Sequence, residues 1–107
     1  MYKNYETNKF PLDVMWADID YMDEYKDFTI GESWRDMDGL IAQLHKDSRY
    51  FVPIIDAGIA YKSDAFKAAA KSNLIKNPIG NIYFGKVWPG KSAFPDFLDQ
   101  STTEYWT

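Results

Sequence analysis

Residues 11–29, PLDVMWADIDYMDEYKDFT, decide how this sequence is interpreted. The first half of this stretch has the apolar residues Leu12, Val14 and Trp16 at every second position, which is the period of a β-strand. A proline suits the beginning of a strand, because its missing N–H does least harm there. The alternation gives way at Asp18 to acids and aromatics. We therefore predict a strand that ends near Asp18 and a polar loop after it.

A helix and a second strand are predicted after this loop. One apolar stripe with helical spacing runs through Met37, Leu40, Ile41 and Leu44. Ser33 with Asp36 resembles a capping box that would begin the helix. Residues 50–55 are nearly all apolar, as in a strand covered on both faces, although Pro53 predicts a local irregularity. A strand, a helix and a strand make one βαβ unit, so we predict an α/β fold with two parallel strands.

The second half of the sequence has weaker patterns. Residues 61–73 contain the pattern of a short helix that begins at Ser63. Residues 75–87 hold a proline and two glycines, which predicts a loop or a short hairpin. Ser101 with Glu104 forms another capping box, so we expect a helix to begin there.

Carboxylates follow both predicted strands at the edge where parallel sheets bind ligands. Asp18 and Asp20 follow the first strand, and Asp56 follows the second. A pair of carboxylates can act as acid and base, bind a metal ion or accept hydrogen bonds from sugar hydroxyls. The same acids can also simply cap the backbone of the loop. We interpret Asp23 and Asp27 as solvated loop residues.

The composition argues against several classes of protein. Aromatic residues make up 18% of the 107 residues, and such rings fill cores or cover the apolar faces of sugars. The net charge of −4, without a Lys/Arg cluster, argues against a nucleic-acid partner. The sequence has no cysteine, hence no disulfide and no thiolate metal site, and it has no apolar run long enough to span a membrane.

Trp88 and His45 are single residues whose side chains are often functional, so each needs an interpretation. Trp88 lies in the Gly- and Pro-rich run GKVWPG at 85–90, and loops held by a rigid scaffold often carry function. The alternative for Trp88 is a plug that buries one loop against another. His45 falls in the last turn of the predicted helix, where we interpret it as a structural residue that suits the helix dipole.

The chain resembles glycoside hydrolase family 31, the α-glucosidase group, in seven ordered runs that extend across nearly all of it. The runs are PLDV at 11–14, DIDYMD at 18–23, DFT at 27–29, LH at 44–45, IID at 54–56, GKVWPG at 85–90 and AFPDF at 93–97. This resemblance implies a (β/α)8 TIM barrel. Residues 1–107 would form about strands 2 and 3 of that barrel and the long loop after the third. The stretches at 30–33 and 57–59 are less typical of the family.

The resemblance implies four substrate-binding residues and no catalytic residue in this chain. Asp18 would accept hydrogen bonds from hydroxyls of the sugar in the −1 subsite. Ile19 and Ile54 would form an apolar wall, and Trp88 an aromatic wall. The family's nucleophile lies in a W-x-D-M-N-E motif that this sequence does not contain, so neither Asp18 nor Asp20 is assigned to catalysis. The resemblance implies no cofactor and no metal.

The implied protein is a retaining α-glucosidase that removes terminal, non-reducing glucose from α-linked, maltose-like oligosaccharides. The sequence does not indicate a compartment, and the resemblance suggests a secreted or a lysosomal or vacuolar protein. Residues 1–107 would be an internal fragment that requires the rest of the barrel. Two alternatives stay open: a small non-catalytic carbohydrate-binding protein, and a related family 31 activity such as an α-xylosidase or a glycan-trimming glucosidase. We expect the isolated chain to be inactive and to aggregate through open strand edges and uncovered apolar faces.

Overall fold

A computed structural model describes residues 2–69 and 73–107 as a mixed helix and sheet structure. The helices are α1 (Tyr2–Thr7), α2 (Met37–Lys46), α3 (Asp64–Ala68) and α4 (Gln100–Trp106), and the strands are β1 (Val14–Ala17), β2 (Tyr50–Pro53), β3 (Ile59–Ala60), β4 (Phe84–Val87) and β5 (Gly90–Ala93). Among these residues, no helix is both long enough and apolar enough to cross a membrane.

The predicted βαβ unit is confirmed. Strands β1 and β2 pair in parallel, with Val14 opposite Tyr50 and Ala17 opposite Pro53, and α2 packs against β2. Leu44 anchors that helix and is fully buried. The second strand ends at Pro53, earlier than predicted, where the missing N–H of proline does not interrupt the ladder.

Both predicted capping boxes are wrong. Ser33 lies in a separate 3-10 turn, Glu32–Trp34, and α2 begins only after Asp36. Packing explains the shift, because Trp34 makes an edge contact with the ring of Tyr21, at 6.5 Å between centroids, and this contact fixes the turn before the helix.

The last helix is capped by a residue that the sequence pattern does not select. A carboxylate oxygen of Asp99 accepts the Ser101 N–H at 2.8 Å and the Ser101 hydroxyl at 2.7 Å. The carboxylate is an ionised acceptor placed before the first turn, so α4 begins at Gln100 rather than after Ser101. At α3, by contrast, the predicted start is confirmed, since the Ser63 hydroxyl accepts the Phe66 N–H at 3.1 Å.

The second sheet contains three antiparallel strands in the order β3-β5-β4. The hairpin of β4 and β5 turns through Trp88 and Pro89, with Val87 opposite Gly90. Gly90 has a φ of +96°, a conformation that favours glycine and lets the turn close tightly. Of the two alternatives for 75–87, a short hairpin forms over residues 75–83, where Lys76 and Ile82 make an antiparallel bridge and the Tyr83 N–H donates to the Ile75 carbonyl at 2.8 Å. Residues 84–87 then form β4.

The two faces of the β1–β2 pair differ sharply. The inner face packs on a core of Ala17, Tyr21 and Met22, to which Met37 and Phe51 add partly buried surface. The outer face is apolar but open, and its residues are 45–65% exposed: Val14, Trp16, Tyr50 and Val52. The described residues cover only one face of the second strand, so its coverage on both faces stays a prediction.

Candidate functional site

Asp18 follows directly after β1 and is exposed to solvent. One oxygen of its carboxylate accepts the Ile19 N–H at 2.7 Å, which caps the 3-10 turn Ile19–Tyr21. The Asp18 side chain is therefore held by the N–H of the next residue, while its carboxylate stays accessible to solvent. Asp20 is also exposed, inside the same turn.

Ile54 lies beside Asp18 at the carboxyl end of the parallel pair. The register that sets Ala17 opposite Pro53 makes the two following residues, Asp18 and Ile54, neighbours across the strands. The Ile54 N–H donates to the Ala17 carbonyl at 2.9 Å, which extends the pairing by one bond. Ile19 and Ile54 are both half-buried. The structure thus brings three of the four predicted site residues to one edge of the sheet.

Trp88 comes from the other sheet, at the tip of the β4–β5 hairpin, and is 70% exposed. The hairpin tip packs against Gly58, in the segment that follows β2. A Cβ built on Gly58 would lie 2.5 Å from Val87 Cγ2, a distance that no real packing allows, so only glycine admits this approach. The close contact ties the residue preceding Trp88 to the segment that follows Ile54.

Asp27 is not the solvated loop residue that we predict from sequence. It is only 3% exposed, and its Oδ1 accepts the Asp56 N–H at 2.8 Å. Its Oδ2 is buried and has no hydrogen-bond partner among the residues that the structure describes. Burial raises the pKa of the Asp27 carboxyl to about 6, and the neighbouring Asp56 carboxylate acts in the same direction, while the Asp56 N–H opposes it.

Tyr21 is the second functional candidate that sequence reasoning misses. Its hydroxyl donates to the Ile54 carbonyl at 2.8 Å, and burial raises the pKa of that hydroxyl, with further contributions from Asp27 and Asp56. Nothing in the local pattern separates Tyr21 from Tyr25, or Asp27 from Asp23. The sequence places both buried residues in the acidic and aromatic stretch after the first strand, Tyr21 in the run DIDYMD and Asp27 in the run DFT.

The described part of the chain contains no candidate metal site. Across residues 2–69 and 73–107, no group of three or more His, Cys, Asp or Glu side chains is arranged to hold a metal ion. His45 is exposed in the last turn of α2, in the predicted position.

A sequence profile described as the glycosyl hydrolases family 31 TIM-barrel domain matches residues 1–107. The chain belongs to glycoside hydrolase family 31. Curated relatives in the family include glucoamylase 1 of Candida albicans, 39% identical over 118 residues, and the lysosomal α-glucosidase of Mus musculus, 37% identical over 111 residues. Each alignment covers 97% of this chain and 12% of the relative, so the chain spans about an eighth of the length of these family 31 proteins.

Solved family 31 structures also superpose on the chain. The glucosidase II α subunit, solved with α3-Glc2 bound, matches with a TM-score of 0.86 and 32% identity over 97% of this chain and 12% of that one. A family 31 α-glucosidase from Bacteroides thetaiotaomicron matches with a TM-score of 0.82 and 30% identity, covering 97% of this chain and 18% of that one. The family membership expected from the seven sequence runs is confirmed.

Proposed function

We propose that this chain is part of the catalytic barrel of a retaining α-glucosidase and supplies part of its −1 sugar subsite. The enzyme removes terminal, non-reducing glucose from α-linked oligosaccharides such as maltose. The observation that carries the proposal is the exposed Asp18 carboxylate, held beside Ile54 at the carboxyl end of a parallel strand pair. Relatives named α-glucosidase, at 36–37% identity over nearly the whole chain, support the substrate class.

In this proposal Asp18 binds the sugar and does not react with it. Its carboxylate accepts hydrogen bonds from ring hydroxyls, and such charge-assisted bonds are the stronger kind. The Ile19 N–H holds one carboxylate oxygen, which fixes the direction in which the group faces the ligand. Ile19 and Ile54 form an apolar wall, and Trp88 offers an indole face to the C–H surface of the glucose ring.

The reaction itself requires residues outside these 107. A retaining mechanism uses two carboxylates about 5–5.5 Å apart across the scissile bond, one as nucleophile and one as acid/base. We assign neither role to Asp18 or Asp20, and we propose that both catalytic acids come from later strands of the barrel.

We further propose that residues 1–107 form about strands 2 and 3 of the (β/α)8 barrel together with the long loop after the third. A complete barrel needs about 250 residues, so this chain holds under half of one. The open apolar face of Val14, Trp16, Tyr50 and Val52 supports the proposal, because a surface of this kind is normally buried by further structure.

Substitution of Asp18 in the full-length enzyme tests the proposal, with hydrolysis of p-nitrophenyl α-D-glucoside and of maltose as the readout. Hydrogen bonds to a charged group contribute about 1.5–3 kcal/mol, so Asp18→Asn is expected to lower kcat/KM by about 10- to 150-fold. Asp20→Asn is the matched control, exposed two residues away, and is expected to stay within about twofold of wild type. Equal activity of Asp18→Asn and wild type would overturn the assignment of Asp18.

A further inference from the structure

Two side chains of the 18–29 loop bind the backbone just past β2. The Tyr21 hydroxyl donates to the Ile54 carbonyl, and Asp27 Oδ1 accepts the Asp56 N–H, both at 2.8 Å. Strand β2 ends at Pro53, and beyond it the Ile54 N–H still donates to the Ala17 carbonyl of the neighbouring strand. The hydrogen bonds of Tyr21 and Asp27 thus hold residues 54–56 beyond the point where strand pairing ends.

Both side chains are buried, and one is buried at an energetic disadvantage. Tyr21 is 6% exposed and Asp27 is 3% exposed. Among the described residues Asp27 Oδ2 has no hydrogen-bond partner, and the burial of an unpaired carboxylate oxygen opposes folding. Groups that are kept against stability in this way are commonly found where backbone position matters for function.

The loop that supplies these two side chains also carries Asp18. Tyr21 ends the 3-10 turn that Asp18 caps, so the Asp18 carboxylate and the Tyr21 hydroxyl belong to one short rigid unit. The Tyr21 bond to the Ile54 carbonyl then joins that unit to the next strand end. The separation between Asp18 and Ile54 is thereby fixed by side chains as well as by the sheet.

We propose that Tyr21 and Asp27 are positioning residues that clamp residues 54–56 and so hold Ile54 against the sugar opposite Asp18. Neither residue touches the substrate in this proposal, which rests on the proposed function of the −1 subsite. Loss of either bond lets residues 54–56 move away from the strand end, widens the pocket and weakens the binding of a glucose ring.

The test uses Tyr21→Phe and Asp27→Ala in the full-length enzyme, with two readouts. The first is the inhibition constant for D-glucose, which occupies the −1 subsite, and the second is amide hydrogen exchange in the peptide that contains residues 54–56. We expect glucose inhibition to weaken about tenfold and exchange to accelerate at least tenfold in each variant. Asp27→Asn retains an oxygen at Oδ1 and is expected to recover most of the loss seen in Asp27→Ala.

Matched controls come from the same loop. Tyr25→Phe and Asp23→Asn change exposed residues of the same two types and are expected to alter neither readout. Unchanged exchange in Tyr21→Phe and Asp27→Ala would overturn the clamp, and faster exchange with unchanged glucose inhibition would overturn its role in the pocket. If wild type neither hydrolyses α-glucosides nor binds glucose, the proposed function fails, and exchange alone then decides whether the clamp exists.

Discussion

The contact between Gly58 and Val87 yields a sharp prediction about Trp88. A Cβ on Gly58 would lie 2.5 Å from Val87 Cγ2, whereas carbon atoms pack best at about 3.5–4.0 Å. Gly58→Ala therefore forces Val87 to retreat by about 1 Å or more, and the hairpin tip with Trp88 moves with it. The backbone of Gly58 lacks the positive φ of Gly80 and Gly90, so the effect of alanine is steric alone.

The expected magnitude follows from this geometry. Overpacking of this kind costs about 1–3 kcal/mol of stability, and a displacement of about 1 Å in a binding site lowers turnover by up to about 100-fold. If Trp88 lines the sugar pocket, Gly58→Ala in the full-length enzyme lowers kcat/KM for p-nitrophenyl α-D-glucoside by at least about tenfold. A smaller side chain at residue 87 removes the clash, so adding Val87→Ala restores kcat/KM to within about threefold of Val87→Ala alone.

Two outcomes would refute this reasoning. Wild-type activity in Gly58→Ala would mean that the hairpin tip does not affect the pocket, and an equal loss in the Val87→Ala background would mean that the contact is not its cause. Gly80→Ala serves as a control for glycine loss in general. A Cβ at Gly80 meets nothing within 4 Å, although its φ of +83° strains alanine, so kcat/KM should stay within about twofold of wild type.

Three further predictions concern charge, capping and isolation. The pKa of Asp27 is about 6 in the folded protein and 3.8 in the unfolded reference, so the folded loop binds the proton more tightly than the unfolded chain does. Ionisation of Asp27 therefore destabilises the folded loop increasingly as the pH rises from about 4 to above 6. The difference of about two pKa units corresponds to about 3 kcal/mol at most, so exchange of the Asp56 amide, corrected for its intrinsic rate, should accelerate up to about 100-fold over this range and become flat in Asp27→Asn. Asp99→Ala should accelerate hydrogen exchange in the first turn of α4, because it removes the cap of that helix, and Glu104→Ala, which removes the other half of the predicted capping box, should leave this exchange nearly unchanged. The isolated 107-residue chain should not hydrolyse p-nitrophenyl α-D-glucoside and should form light-scattering aggregates. Turnover of the substrate would contradict the expected inactivity, and a stable monomer would contradict the expected aggregation.

The local periodicities of the sequence predict the elements well. Alternation in 12–17 and the stripe that ends at Leu44 give the strand and the helix of the βαβ unit, because each pattern is set by the geometry of one element. The helix starts near Ser33 and Ser101 are wrong for a different reason. A capping box is a short motif, and at these two places packing of Trp34 and the stronger acceptor Asp99 decide where the helix begins.

The environment of the loop acids could not be predicted from the sequence. Asp23 and Asp27 have similar neighbours in the chain, yet one is exposed and the other is 3% exposed. The hydrogen-bond donor to Asp27 is the Asp56 N–H, 29 residues away, and the residue packed against Gly58 is Val87. Contacts at such separations depend on the tertiary fold, which a period-2 or period-3.6 pattern does not encode.

The open face of the β1–β2 pair has a consequence for synthesis on the ribosome. In the proposed barrel, later strands cover the face formed by Val14, Trp16, Tyr50 and Val52, but they emerge after it, at about 5–20 residues per second. The nascent protein therefore displays four large apolar side chains on a paired sheet for several seconds. We expect chaperones that recognise exposed apolar segments to bind this surface. We also expect misassembly to begin at this surface when translation stops within the barrel.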